Sequence, residues 1–182
     1  MLLLPPLVVV ILTHGRVVPM VAAIVGAVVG GWVFAANVVL LSGWELRITG
    51  LLALAAIVVV AAAPYARGLN EARSPIGAAA IAGVVSFIAA LWWRPCVGDE
   101  LGTILTEASR SLPSALPGMT AYMLGAMAPV VLVGLLLRAV EPSPRAMAWI
   151  AGPAALAGIG LTGLLALDRH SELVGTLTRW TL

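Results

Sequence analysis

Trp92-Trp93-Arg94-Pro95-Cys96-Val97-Gly98-Asp99-Glu100-Leu101-Gly102 is the stretch on which the reading of this chain turns. It holds the single cysteine of the sequence, and it sets Arg94, Asp99 and Glu100 in the middle of a chain that is otherwise nearly all apolar. An apolar run from Ile76 to Leu91 precedes it; Gly102, Thr103, Thr106 and Glu107 follow. A proline, glycines and three ionised groups do not cross hydrocarbon as ordinary helix. Such a break is tolerated only where protein or water covers the freed backbone groups, and ionisable groups at membrane depth point to a functional site. The expectation is therefore a fourth crossing broken at Pro95-Cys96 and sheltered by the remaining helices.

Composition supports the membrane reading. Of 182 residues, 62% are hydrophobic and 10% charged, against about 25% charged in a soluble domain; mean hydropathy is +1.09. All ten basic residues are arginine, so the pI near 9.3 says little about partners. One cysteine excludes a disulfide or a cysteine metal cage within the chain. No positive charge precedes the first apolar run, so a cleaved leader is not expected. There is no phosphate-binding glycine loop in context, no HExxH and no nucleophile elbow, and nothing supports nucleic-acid binding. No cofactor is expected. His14 and His170 fall in turns at opposite ends of spans, where solvation at the interface is their natural use.

A spanning helix needs about 20 apolar residues. Leu2–Thr13 is a short first span carrying Pro5-Pro6, followed by a polar turn at His14-Gly15-Arg16. Val17–Ser42 is the second span; its Gly26-x-x-x-Gly30 is a spacing that lets helix backbones approach closely. Gly43–Arg47 reads as an interfacial turn with Trp44 as an anchor, and Trp92, Trp93 and Trp180 also fall at span ends, as an interfacial aromatic belt would place them. Ile48–Ala63 is the third span, ended by Pro64, and Tyr65–Pro75 the longest polar connection. Ile76–Trp93 is the fourth. Val97–Ser109 continues it as an amphipathic segment, with Leu101, Ile104, Leu105 and Ala108 on one face and Asp99, Glu100, Thr103 and Glu107 on much of the other. Arg110–Pro117 reads as a loop, Gly118–Val140 as the fifth span, Glu141–Pro144 as a turn, and Ala146–Leu167 as the sixth span, loosened at Gly152-Pro153. Asp168–Leu182 is an amphipathic tail suited to the interface.

The expected fold is thus all-α and polytopic, one transmembrane domain of about six helices. Residues 1–75 form a first three-span half and residues 76–182 a second, inverted relative to the first because an odd number of crossings separates equivalent points. Inverted repeats with a broken helix near the midplane are a known transporter plan. Arginines outside the break divide five (Arg16, Arg67, Arg73, Arg138, Arg145) against four (Arg47, Arg110, Arg169, Arg179), which places the loops after spans one, three and five in the cytoplasm and both termini outside.

At Trp93-Arg94-Pro95-Cys96-Val97-Gly98, followed by Leu101-Gly102 and Ile104-Leu105, the chain resembles the membrane domain of the cytochrome c biogenesis and thiol–disulfide interchange proteins, the CcdA and DsbD family. Members carry an aromatic residue, Pro-Cys-[Val/Ile]-Gly-Pro and then Leu-Gly-x-[Ile/Val]-Leu. The resemblance implies a bacterial inner-membrane carrier that takes reducing equivalents from a cytoplasmic thioredoxin-like protein and passes them to a partner outside. It does so through two intramembrane cysteines, one in the first span and one in the fourth, each after a proline in a broken helix. By that resemblance Cys96 and Pro95 are catalytic, and Arg94, Gly98, Asp99, Glu100 and Glu107 line the site. Two departures matter. The position of the first-span cysteine falls near Leu2 or before Met1, so a partner cysteine must come from outside this chain, and the proline after Val97-Gly98 is replaced by Asp99.

The residues themselves leave alternatives open. Arg94 and a helix beginning near Val97 favour a Cys96 thiolate; Asp99, Glu100 and burial oppose it, and a buried cysteine also serves as a small hydrophobe. The Arg94, Asp99, Glu100 and Glu107 charges form either a polar cleft or an ion-pair cluster at the membrane surface that satisfies itself. Three functions follow: a CcdA-like thiol–disulfide electron carrier, a redox-inactive accessory subunit of a larger membrane complex on the same fold, and a small transporter with its site at the break. Few polar residues outside the break count against the last.

Overall fold

The computed structural model describes residues 3–37, 43–62, 75–91 and 99–167. Within them the chain is helical: α1 (Leu4–Leu12), α2 (Val17–Asn37), α3 (Gly43–Ala62), α4 (Pro75–Leu91), α5 (Asp99–Arg110), α6 (Leu112–Val140) and α7 (Pro144–Ala166). The Trp92–Gly98 stretch, the Tyr65–Ser74 connection with Pro64, and the tail from Asp168 lie outside the described residues. Three helical stretches, Val17–Ala36, Leu112–Val140 and Arg145–Leu164, are long and apolar enough to cross a membrane; Arg47–Ala62 and Pro75–Leu91 are apolar but shorter.

Proline sets many of the helix starts. Pro5-Pro6, Pro75, Pro113 and Pro144 all sit in first turns, where a missing N–H costs nothing and the fixed φ suits the helix. This corrects the expected loop at Arg110–Pro117. Pro113 opens α6 behind an extended Ser111, so the connection from α5 shrinks to that one residue and α6 gains a turn and a half. The expected turn at Gly43–Arg47 is likewise the first turn of α3, where Glu45 favours the positive end of the helix and the Thr49 hydroxyl donates back to its carbonyl at 2.8 Å. Trp44 remains exposed there. The turn after α1 is as expected and has a specific form. Gly15 N–H donates to the Val10 carbonyl and His14 N–H to that of Ile11, both at 3.0 Å, with His14 and Gly15 at φ 58° and 62°. That is a Schellman closure.

The contacts fix how the helices run. At Gly26 a Cβ would meet the Gly83 carbonyl; at Gly30 it would meet the Phe87 carbonyl oxygen at 2.6 Å and the Ala90 Cβ at 2.8 Å. Moving forward along α2 moves forward along α4, so these two helices are parallel, and the Gly26–Gly30 pair is indeed the point of close backbone approach. Against α6 the sense reverses. Met20 touches Gly134 and Gly31 touches Met123, and the Trp32 Nε1–H donates to the Thr120 hydroxyl at 2.9 Å, so α2 and α6 are antiparallel. Leu3 and Pro6 share a cavity with Met123 and Met127, while Val10 and Gly15 meet Gly134, so α1 runs parallel to α6. Because α2 and α4 point the same way, the chain must return between Asn37 and Pro75. α3 is the described helix in that segment, and it packs on α7, α4 and α1.

α1 lies at the centre. It touches α2, α3, α4, α6 and α7, and the consecutive residues Val8, Val9 and Val10 are all buried, which a helix achieves only when surrounded on every side. Its nine residues span about 13 Å, less than half of a hydrocarbon core about 30 Å thick.

The distribution of size is the reverse of a water-soluble bundle. Many buried positions are small: Ala23, Ala27, Ala53, Ala78, Ala82, Ala89 and Ala90. Large apolar side chains face out, among them Trp149 at 82%, Ile76 at 79% and Leu156 at 72% exposure. Exposed apolar surface on this scale is a liability in water, whereas small residues at the contacts and large ones outside is the arrangement expected where lipid is the solvent.

Candidate functional site

Of the residues singled out in the sequence, Arg94, Pro95, Cys96 and Gly98 lie outside the described residues, as do the side chains of Asp99 and Glu100. Asp99 and Glu100 form the first turn of α5. The amphipathic reading of that helix holds. Leu101 is fully buried in a cluster with Phe34, Ala35, Ala90, Met119 and Met123, and Ile104, Leu105 and Ala108 pack against it. The opposite face, with Thr103, Thr106, Glu107 and Arg110, is exposed. Glu107 accepts a hydrogen bond from the Ser114 hydroxyl at 2.8 Å, which ties the outer face of α5 to the first turns of α6. Among the described residues Glu107 therefore belongs to a solvated edge. Trp32 and Thr120, which link α2 to α6, lie near the same end of the bundle.

Gly102, in the Leu101-Gly102 pair of the family-like motif, has no neighbour within 4 Å of a Cβ placed on it, and no positive φ. Nothing in the packing requires glycine there. Gly102→Ala is expected to stabilise the protein by about 0.5–1 kcal/mol, read as a higher midpoint of denaturant unfolding in lipid bicelles.

Between the two apolar clusters lies a feature that the sequence reading passed over. The first cluster gathers Val8, Val9 and Val10 with Ala27, Ala82 and Met127; the second gathers Ala90, Met119 and Met123. At their seam is a cavity of about 10 Å³ lined by Leu3, Pro6, Ala27, Ser86, Met123 and Met127, among others. Four helices meet there: the N-terminal end of α1, the middle of α2, the last turns of α4, and α6. Ser86 is 1% exposed, and its Oγ has no hydrogen-bond partner among the described residues. The signal in the sequence was plain enough, since Ser86 carries the sole polar side chain between Pro75 and Leu91. Hydrophobic periodicity gives no weight to one hydroxyl in an apolar run.

The described residues contain no cluster of His, Asp or Glu able to hold a metal ion. A scan against protein-family models, a search of curated proteins and a search of solved structures return no match to this chain.

Proposed function

We propose that this chain is a six-crossing bacterial inner-membrane protein, built as two inverted three-helix halves, that exchanges thiols and disulfides through Cys96 with a partner cysteine outside the chain. The packing directions carry the architectural part. If α1, α2 and α3 correspond to α4, α6 and α7, the parallel pair α1 and α6 answers the parallel pair α4 and α2, α1 against α7 answers α4 against α3, and α1–α4, α2–α6 and α3–α7 are each self-paired; the contacts of α1 with α2 and α3 have no counterpart of like extent, so the two halves correspond in direction and not contact for contact. In this scheme α1, as described, covers nine residues with Pro5-Pro6 in its first turn, and residues 92–98 separate α4 from α5 in the chain.

The redox part rests on Pro95-Cys96-Val97-Gly98 and its resemblance to the CcdA and DsbD membrane domain. In the oxidised carrier, Cys96 Sγ is bonded to the partner cysteine. A thiolate of a reduced thioredoxin-like protein in the cytoplasm attacks that bond, forming a mixed disulfide and releasing one carrier sulfur as thiolate. The donor's second thiol then displaces the carrier from the mixed disulfide. The donor leaves as a disulfide, and the carrier holds two thiols, which reduce a disulfide outside by the same exchange.

A second reading is favoured by one observation. A chain with a single cysteine also suits a redox-silent subunit of a larger membrane assembly on the same fold. Trapping separates the two. A thioredoxin variant lacking its resolving cysteine, added to membranes containing the oxidised protein, is expected to form a mixed disulfide that is wholly lost in Cys96→Ser. If no such adduct forms, and Cys96→Ser supports growth as well as the natural chain while copurifying with other subunits in fixed proportion, the subunit reading replaces the carrier.

A further inference from the structure

We infer that the seam between α1, α4 and α6 binds one water molecule, held by Ser86 at the N-terminal end of the half-length helix α1. The inference stands apart from the thiol chemistry and rests on three observations. First, the helical hydroxyls of Thr49, Thr106, Ser109, Thr120 and Thr162 each donate to a carbonyl three or four residues back. Ser86 does not; its Oγ has no partner among the described residues, and the residue lines the cavity. A buried hydroxyl is rarely left without any partner, so this one is directed to a ligand in the space it faces.

Second, the size of the space selects the ligand. A void of about 10 Å³ matches the roughly one-probe volume that a single water needs. It is too small for a lipid tail, a solute or a hydrated ion. Third, the walls offer the few polar partners that a buried water requires. Ser86 Oγ donates or accepts, the Met123 and Met127 thioethers are weak acceptors, and the first turn of α1 closes one side through Leu3 and Pro6. Pro5 and Pro6 carry no N–H, and the Leu7 N–H is bonded to the Leu3 carbonyl at 3.0 Å. The positive end of the helix dipole lies here and orients the water oxygen toward α1. The water hydrogen-bonds Ser86 of α4, the residue that gives this apolar seam its hydroxyl.

An experimental structure of the full chain in lipid, at a resolution that shows ordered water, tests this. The expected result is one peak within hydrogen-bond distance of Ser86 Oγ that is lost in Ser86→Ala. A Ser86 hydroxyl turned back onto the Ala82 carbonyl beside an empty cavity, or density larger than one water, overturns it. A solution measurement gives an independent answer. In a Cys96→Ser background, Ser86→Cys carries the only thiol, and its infrared S–H band is expected to disappear when membranes are moved into D₂O. A band that persists at full intensity means that water does not reach the site.

Discussion

Gly26→Leu is expected to be the most damaging single substitution in the described part of the chain, costing about 3 kcal/mol and leaving little folded protein in detergent. A Cβ at this position is directed at the Gly83 carbonyl, with the carbonyl carbon 2.8 Å away. That obstacle is backbone, so no rotamer change relieves it. The two helices must move apart, and the contact four residues on, where Gly30 meets Phe87 and Ala90, is lost with it. In lipid there is no hydrophobic drive to re-form a loosened pair, because helix association depends on close packing itself. Denaturant titration in bicelles measures the loss. Gly102→Ala serves as the control for a glycine with open space around it; equal behaviour of the two variants would mean that α2 and α4 do not meet as described.

Gly15→Val is expected to follow closely, at roughly 2–5 kcal/mol, for two reasons that add. The residue has φ 62°, and a Cβ placed on it runs into the Gly134 carbonyl of α6. A β-branched residue is a genuine outlier at such a φ, so the Schellman closure of α1 must open. The steric conflict then pushes the end of α1 away from α6. His14 already tolerates a positive φ as a non-glycine residue, but it is exposed and its side chain has room. The midpoint of thermal unfolding, compared with that of His14→Ala, separates backbone strain in the turn from loss of the α1–α6 contact. If Gly15→Val melts with His14→Ala, the central helix is not seated against Gly134.

Much of the architecture was legible because lipid leaves few options. The apolar runs located α2, α4 and α7 and the C-terminal end of α6 to within a few residues, and Gly26-x-x-x-Gly30 announced a close approach. What the spacing did not state was the partner. Gly83 sits in an alanine-rich helix with no distinct face, and helices apolar on all sides carry no stripe to say which neighbour they prefer. Directions and pairings therefore had to come from contacts. Proline misled at Pro113, because its meaning depends on position: near a helix start it is a beginning, not a break; Pro117 lies inside α6, and the helix runs through it. The Gly43–Arg47 segment looked like a turn on its polar residues, yet Glu45 at a helix start is favourable and the helix extends through it. Ser86 was missed because a lone hydroxyl leaves periodicity unchanged. The polar face of α5 was readable from its spacing, with Thr103 and Glu107 both exposed.

The inverted two-half arrangement is the central proposal about the fold, and accessibility of single cysteines tests it most directly. In a Cys96→Ser background, His14→Cys, Trp44→Cys, Ser111→Cys and Ser143→Cys each place one thiol at an exposed position between helices or in a first turn. A membrane-impermeant maleimide applied to either side of sealed vesicles is expected to label His14→Cys and Ser143→Cys from one side, and Trp44→Cys and Ser111→Cys from the other. Labelling of His14→Cys and Ser111→Cys from the same side would contradict both the crossing pattern and the two-half fold built on it.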